Sequence, residues 1–355
     1  MDGTPRPSLL HQMTVETPTE LWNDGCELGT LDRAIARGAT GATTNPVIVM
    51  QAIDADRERW DEVTRGLVRD HPSEGEIEIA WRLVAIAARE AAARLQPIFE
   101  RTDGARGRLS IQASPQHHRD ARSMIAQGLE LARIAPNTAE KLPTTAAGLE
   151  AIEELTARGV VTNATVSFSV AQAIAAAEAV ERGRARSDHP GAAATPWITI
   201  MAGRIDDHLR DVVATEGLPV DVERVRHAST AIVRRAYRVF RERGYRSKLL
   251  VAAMRSHHHW SEFIGGELVI TIPPEWQERF DESGVAVRSR IHDVVDPDVV
   301  AQLSEAIPDF ARAYEEDGLC PRQFQSFGAT TKTLRQFLGA LDRLGSYVRD
   351  VMLPL

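Results

Sequence analysis

Short runs of apolar and β-branched residues alternate along the chain with segments in which apolar residues recur every three to four positions. The first pattern is typical of buried strands and the second of amphipathic helices. The stretch from Ile77 to Leu95 is a clear example of the helical pattern. The apolar runs predict strands at Glu20–Asn23, Ala42–Thr44, Arg108–Ala113, Ala139–Leu142, Val160–Val166, Trp197–Ala202, Lys248–Met254 and Glu267–Ile272.

The order of these elements predicts the fold. Eight strands with helices between them indicate an α/β protein whose parallel strands close into a (β/α)8 TIM barrel. Additional helices are expected in the N-terminal half, within residues 54–104, and after about Val287. We expect a single domain over residues 1–355, with the barrel at about 18–285 and C-terminal helices at about 286–355 packed on it. The last helix carries an apolar stripe that must be buried: Leu334, Phe337, Leu341, Leu344, Val348 and Val351.

Composition narrows the classes of function. The chain has 355 residues, a formal net charge of −8 and a pI near 5.8, which argues against a nucleic-acid or membrane-surface partner. No apolar run approaches the ~20 residues that a membrane span needs. Cys26 and Cys320 are too few to form a disulfide framework. We expect a cytoplasmic protein, monomeric or homodimeric, that acts on small molecules.

Lysine is almost absent from this chain. Of 42 basic residues only Lys141, Lys248 and Lys332 are lysines. An amine that attacks a carbonyl cannot be replaced by guanidinium, which stays protonated and is a poor nucleophile. Lys141 ends a predicted strand, where barrels carry their catalytic residues. Alternatively, Lys141 is an ordinary charge at a strand end, and the scarcity of lysine reflects the arginine bias of a GC-rich genome. Lys248 is expected to flank a strand, and Lys332 is expected to be solvated.

Lys141 is one of nine polar residues at or just after the predicted strand ends. Because the carboxyl ends of parallel strands meet at one face of a barrel, these side chains are expected to lie close together. They are Asp24, Asn45, Gln112, Lys141, Asn163, Thr165, Thr199, Arg204 and Arg255.

In this set the sequence resembles the transaldolase family. Any one matching segment is a weak indication, but the segments occur in the family's order and spacing over roughly residues 20–275. They are Ala42-Thr-Thr-Asn-Pro46, Lys141-Leu-Pro-Thr-Thr145 with Gly148-Leu-Glu-Ala-Ile152, Asn163-Ala-Thr-Val-Ser-Phe-Ser169, Gly203-Arg-Ile205 and Val251-Ala-Ala-Met-Arg255.

The resemblance implies an enzyme that needs neither cofactor nor metal. Lys141 would form a Schiff base with a ketose or ketose phosphate, and a three-carbon dihydroxyacetone unit would then pass to an aldose or other aldehyde acceptor. Burial beside other cations would lower the pKa of the amine so that it can react near neutral pH. The resemblance also implies a carbohydrate pathway such as that of the pentose phosphates.

The resemblance assigns roles to five further residues. Asp24 matches the aspartate that transfers protons at the substrate hydroxyls; the alternative is an acid at a helix N-terminus. Asn45 and Asn163 match residues that bind the dihydroxyacetone part, although either could cap a turn. Thr165 matches a threonine that orients a catalytic water, and Thr199 stands where the family has serine; a strand Thr is otherwise only a good strand former.

Arg204 and Arg255 match the family's phosphate-binding arginines. A guanidinium group donates two parallel hydrogen bonds that fit a phosphate group. The alternative is a surface charge, since arginine is abundant in this chain. The serine of the family's phosphate motif is Ala253 here.

The third and sixth strands depart from the family pattern. Gln112 stands where the family has a glutamate that makes a water serve as acid and base. Fructose 6-phosphate aldolases of the same superfamily also have Gln there, paired with a tyrosine on strand six, where this chain has Met201. The histidine runs 117–118 and 257–259 are expected to be solvated loops, with a proton relay from one histidine as the alternative.

The sequence therefore predicts a transaldolase-like transferase, with a specialised role on an unusual sugar suggested by Gln112. A lyase that releases dihydroxyacetone and a non-catalytic descendant that binds sugar phosphates are the two alternatives. The lyase would differ from the transferase in its products. The non-catalytic protein would not need to retain Lys141, Asp24 and Asn45.

Overall fold

The computed structural model describes residues 8–189, 191 and 194–353. Its strands are all parallel to their neighbours and close into a barrel in chain order, with the eighth strand paired to the first. The strands are β1 Glu20–Asp24, β2 Ala39–Thr43, β3 Arg108–Gln112, β4 Thr138–Pro143, β5 Thr162–Ser167, β6 Trp197–Met201, β7 Lys248–Ala252 and β8 Val269–Ile272.

Helices follow each strand and surround the barrel, so the predicted (β/α)8 fold is confirmed. Among the described residues, no helix combines the length and apolarity needed to cross a membrane. A short 3-10 turn, Pro115–His117, follows β3. The helices are α1 Leu9–Glu16, α2 Leu28–Ala36, α3 Pro46–Ala55, α4 Arg57–Asp70, α5 Glu76–Arg101, α6 Ala121–Leu131, α7 Ala146–Ala157, α8 Val170–Ala185, α9 Ala202–Glu216, α10 Val222–Val225, α11 Ala228–Arg243, α12 His258–Ser261, α13 Pro274–Glu282, α14 Pro297–Ala306, α15 Pro308–Tyr314, α16 Pro321–Phe324 and α17 Gly328–Met352.

Strand β2 begins at Ala39, three residues earlier than its pattern predicts. Its sequence, Ala-Thr-Gly-Ala-Thr, is poor in the large β-branched residues that mark a strand. The small residues have a packing reason. The Cβ of any residue at position 41 would lie 2.3 Å from Cε2 of Trp22, so Gly41 leaves the space that this indole ring occupies.

The barrel interior is filled below its carboxyl-terminal mouth. Trp22 and Trp197 pack together with ring centroids 4.7 Å apart, and Ala139 on β4 belongs to the same buried cluster. At the opposite end of β1, the Glu20 carboxylate accepts a hydrogen bond from Lys248 Nζ at 2.6 Å. The two indoles therefore form a floor across the barrel interior. Inward-facing polar residues nearer the carboxyl ends of the strands lie above this floor, in the mouth of the barrel.

The additional helices cover the barrel. Helices α3, α4 and α5 all lie between β2 and β3, and α17 packs against each of them and against α9. The apolar stripe of α17 is consequently buried at Leu334, Phe337, Leu341, Leu344 and Val348. The C-terminal segment thus reaches the same end of the barrel as the strand-end residues.

We predict that Gly41→Ala lowers the free energy of unfolding by about 1–3 kcal/mol, because the added methyl group overpacks against Trp22. Gly339→Ala is the matched control, since a Cβ at this exposed site in α17 meets nothing within 4 Å. The control should be stabilising by about 0.5–1 kcal/mol through helix propensity. Urea unfolding monitored by tryptophan fluorescence measures both; equal effects of the two substitutions would contradict the packing of Trp22.

Candidate active site

Lys141 projects into the mouth of the barrel. Side chains two apart on a strand share a face, so Lys141 lies on the face of Ala139, one layer above the indole floor. Its strand partners in register are Gln112 on β3 and Asn163 on β5. The lysine is 3% exposed, and this burial lowers the pKa of its amine to about 8; the Asp24 carboxylate raises the pKa and the Arg204 guanidinium lowers it. A substantial fraction of the amine is therefore neutral near physiological pH.

Asp24 lies at the end of β1, beside Lys141. Its Oδ1 accepts a hydrogen bond of 2.5 Å from Thr43 Oγ1, which is 3.1 Å from Thr271 Oγ1. The alternative role of Asp24 as a helix cap belongs instead to Glu27, whose carboxylate accepts from the backbone N–H groups of the first turn of α2. Thr43 and Thr271 were not predicted; strand alternation from Gly41 would have indicated Thr43.

A chain of hydrogen bonds orients Asn163. Its Nδ2 donates to Ser110 Oγ at 2.9 Å, and its Oδ1 accepts from Thr199 Oγ1 at 2.7 Å. All three side chains are buried. The two contacts hold the Asn163 amide between two hydroxyl groups, each of which can donate or accept. The Thr199 hydroxyl thus contacts Asn163 directly, and Ser110, which lies two residues before Gln112 on the same face, is a further unpredicted member of this set.

Two buried polar atoms at the mouth make no hydrogen bond within the described part of the chain: Gln112 Oε1 and Thr165 Oγ1. Both residues are inward-facing by the register that pairs Gln112 with Lys141 and Thr165 with Pro143. Buried polar atoms are normally paired. These two are therefore suited to hold a water molecule or a substrate hydroxyl.

Asn45 caps helix α3, whereas its alternative interpretation was the cap of a turn. Its Oδ1 accepts from the backbone N–H of Val47 at 2.9 Å and of Ile48 at 3.1 Å, at the start of α3. Since the amide oxygen is engaged, a hydrogen bond from Asn45 to a substrate would come from the amide nitrogen.

Arg204 and Arg255 lie together beside the mouth, in a pocket of about 210 Å³. Arg204 donates to Gln336 Oε1 and its guanidinium lies 5.2 Å from the Phe337 ring centroid; its Nε is buried without a partner among the described residues. Arg255 Nε donates to Asp207 Oδ2 at 2.9 Å. Burial, and then the charge of Arg255, lower the pKa of Arg204 to about 10. Two adjacent guanidinium groups favour an anion at this place.

The C-terminal helix α17 supplies one wall of this pocket. Lys332, Thr333 and Gln336 line it, and Lys332 forms an ion pair with Asp211. Lys332 is exposed, as its position in the sequence predicted, and it is paired with Asp211 at the rim of the pocket. Lys248 flanks β7 as predicted, with Glu20 as its partner.

The prediction of solvated loops for the histidine runs is wrong at His259. His259 is fully buried on the short helix α12, and its Nε2 lies 2.8 Å from Asp206 Oδ2. His118 Nδ1 contacts the Pro115 carbonyl at 2.8 Å. Over residues 8–189, 191 and 194–353, no group of three or more His, Cys, Asp or Glu is arranged to hold a metal ion.

The sequence is similar to that of known proteins over most of its length. The sequence model of the Transaldolase/Fructose-6-phosphate aldolase family matches residues 21–321, which is most of the chain. A transaldolase of Thiobacillus denitrificans is 27% identical over 330 residues, covering 81% of this chain and 91% of the relative. A transaldolase of Thermobifida fusca is 34% identical over 168 residues, 46% of this chain and 44% of the relative. Transaldolase 2 of Streptomyces avermitilis is 35% identical over 133 residues, 37% of this chain and 35% of the relative.

A closed parallel barrel with a buried lysine in its mouth defines a (β/α)8 enzyme of the aldolase type. The chain belongs to the Transaldolase/Fructose-6-phosphate aldolase family. The predicted family and the prediction of a transaldolase-like transferase are confirmed.

We predict that two substitutions move the pKa of Lys141 in opposite directions. Asp24→Asn removes the charge that favours the ammonium form, so the pKa should fall below about 8; Arg204→Met removes a repulsive charge, so the pKa should rise. The rate of reductive methylation by formaldehyde, followed across pH by peptide mass spectrometry, measures this titration. Lys248 and Lys332 are internal references in every sample. A Lys141 titration that neither substitution displaces would contradict the geometry.

Proposed function

We propose that this protein is a transaldolase that moves a three-carbon dihydroxyacetone unit from a ketose phosphate to an aldehyde acceptor through a Schiff base on Lys141. The observation that carries the proposal is the buried Lys141 amine, whose pKa of about 8 responds to the charges of Asp24 and Arg204, with Arg204 and Arg255 lining one pocket beside it. An amine that is partly neutral can attack a carbonyl, and an adjacent anion pocket can orient a phosphorylated sugar.

The proposed reaction begins at the ketose carbonyl. The neutral Lys141 amine attacks C2, the carbinolamine loses water, and a protonated imine forms. Asp24 takes the proton of the C4 hydroxyl, and the C3–C4 bond breaks so that the aldehyde leaves. The electron pair of the broken C3–C4 bond passes into the imine and gives an enamine. Addition of the enamine carbon to an acceptor aldehyde, with return of the proton, and hydrolysis of the new imine complete the transfer.

Other residues are proposed to bind and orient the substrate. Asn163, held between Ser110 and Thr199, and the amide nitrogen of Asn45 would bind hydroxyls of the three-carbon unit. Thr165 and Gln112, whose side-chain oxygens have no partner among the described residues, would hold the water that is lost and regained. Gln112 can position this water but cannot take its proton, so we propose slower proton transfer and a specialised substrate.

A fructose 6-phosphate aldolase-like lyase is the second candidate, because Gln112 also occurs in such enzymes. The absence of a hydroxyl at Met201 on β6 weighs against it. Release of dihydroxyacetone requires protonation of the enamine, and a thioether cannot supply the proton. We therefore favour transfer. A non-catalytic sugar-phosphate-binding protein would have no need of a lysine with a lowered pKa.

The surroundings of the reaction are likewise proposals. We propose one domain over residues 1–355, acting in the cytoplasm as a monomer or homodimer on ketose and aldose phosphates of a carbohydrate pathway. The acidic net charge of −8 supports small-molecule rather than nucleic-acid partners.

We predict that borohydride traps a ketose adduct on Lys141. D-fructose 6-phosphate and a panel of ketoses and ketose phosphates are incubated with the protein and borohydride, and the peptides are analysed by mass spectrometry. The double variant Lys248→Arg/Lys332→Arg leaves Lys141 as the one lysine of the chain and should still form the adduct, whereas Lys141→Ala should not. An adduct that remains on Lys248 or Lys332 in Lys141→Ala would overturn the assignment.

The products of the same incubations separate the two reactions. A transferase forms a new ketose only when an acceptor aldehyde is present, and a lyase releases dihydroxyacetone without one. Trapping without any turnover in either case would support the binding protein.

We predict that Arg255→Ala lowers kcat/KM for a phosphorylated ketose by about 10- to 150-fold, the equivalent of the roughly 1.5–3 kcal/mol of a charge-assisted hydrogen bond. The effect on the unphosphorylated sugar should be small. Arg238→Ala, on the exposed face of α11, is the matched control and should leave both substrates unaffected. Equal losses on both substrates in Arg255→Ala would indicate that Arg255 supports the barrel instead.

A further inference from the structure

A buried network lies directly beneath the proposed anion pocket. Asp206 on α9 accepts three hydrogen bonds: from Ser229 N–H at 3.0 Å, from Ser229 Oγ at 3.0 Å and from His259 Nε2 at 2.8 Å. The side chains of Asp206, Ser229 and His259 are all fully buried. On its other side the His259 ring contacts the backbone of Arg255, where Nδ1 accepts from the N–H at 2.9 Å.

The backbone contact fixes the tautomer of His259. An amide N–H can only donate, so Nδ1 must be unprotonated and the ring proton must lie on Nε2. Nε2–H then donates to the Asp206 carboxylate, which in turn is held by Ser229. The ring therefore connects helix α9, which carries Arg204 and Asp207, to the segment after β7, which carries Arg255.

The segment that follows β7 needs such a restraint. Ala253 has φ +68, a left-handed conformation that costs free energy for a residue with a side chain. The first turn of α9 lies so close that a Cβ at Gly203 would be 1.9 Å from the Ala253 carbonyl oxygen and 2.7 Å from Arg255 Cγ. Strained backbone persists only where surrounding contacts hold it, and the bond from His259 is one of those contacts.

We propose that His259 is a positioning residue for Arg255, and that the hydrogen bond which its Nδ1 accepts from the Arg255 N–H thereby sets the affinity of the site for phosphate. The inference rests on the proposed anion-binding role of Arg255. Ala253 provides no hydroxyl for an anion, so the contribution of the segment after β7 depends on Arg255 and on where its backbone is held. His259 does not touch the anion itself.

Two substitutions test separately the two hydrogen bonds that the His259 ring makes through Nδ1 and Nε2. In His259→Asn the amide oxygen lies near the position of Nδ1 and can still accept from the Arg255 N–H, while the contact with Asp206 is lost. In His259→Gln the amide nitrogen lies near Nε2 and can still donate to Asp206, while the Arg255 N–H is left unpaired. His258→Gln, at the neighbouring half-buried histidine, is the matched control.

The full-length protein is titrated with inorganic phosphate by calorimetry, and the melting temperature of each variant is recorded. We expect His259→Gln to weaken phosphate binding by about tenfold, the equivalent of one lost hydrogen bond of about 1.4 kcal/mol. We expect His259→Asn and His258→Gln to stay within about threefold of the parent. A purely structural role would lower the melting temperature in both His259 variants without this difference in affinity.

The outcomes distinguish this inference from the function on which it rests. If Arg255→Ala weakens phosphate binding but His259→Gln binds as tightly as the parent, the positioning role is overturned and the anion site stands. If Arg255→Ala binds phosphate like the parent, or the parent itself binds none, the proposed anion site fails and the positioning role fails with it.

Discussion

A primary amine buried in the mouth of a closed barrel is the constraint on which the rest of the site depends. Removing Lys141 from water disfavours its charged form and brings its pKa to about 8. The barrel makes this burial possible, because the Trp22–Trp197 floor closes the interior beneath the amine. Asp24 and Arg204 then act on the same amine with opposite signs. The floor, the strand register and the two charges therefore all act on the pKa of one amine.

The features that repeat locally were predictable from the sequence. Strand and helix periods identified all eight strands, and the strand ends located Lys141, Asp24 and Asn163 at one face. These patterns are short in range, since each depends on neighbours within a few residues. Strand β2 was placed three residues late because its small residues carry little strand signal, and the space that Gly41 leaves for Trp22 is a contact that a local pattern does not contain.

The contacts that complete the anion pocket were not predictable in this way. Gln336 meets Arg204 across 132 residues of sequence, and Lys332 meets Asp211 across 121. Nothing in the helical pattern of α17 indicates which surface it covers. His259 could not be identified as buried for a similar reason. Of the three adjacent histidines only His259 is buried, and its partner Asp206 lies 53 residues earlier in the sequence. A polar run therefore concealed a fully buried residue.

Gln112, which stands where the resembling family has a glutamate, affects which of two reactions an enamine on Lys141 would undergo. In the proposed mechanism the enamine either adds to an acceptor aldehyde or is protonated and hydrolysed to release dihydroxyacetone. Protonation needs an acid, and neither Gln112 nor Met201 can act as one near neutral pH. Asp24 accepts a hydrogen bond from Thr43 through Oδ1, and in the proposed mechanism the proton that it takes from the C4 hydroxyl is returned during addition to the acceptor. A slow protonation step lengthens the life of the enamine, and a longer life favours capture by an acceptor. Gln112 in combination with Met201, rather than Gln112 alone, would thus favour transfer over release.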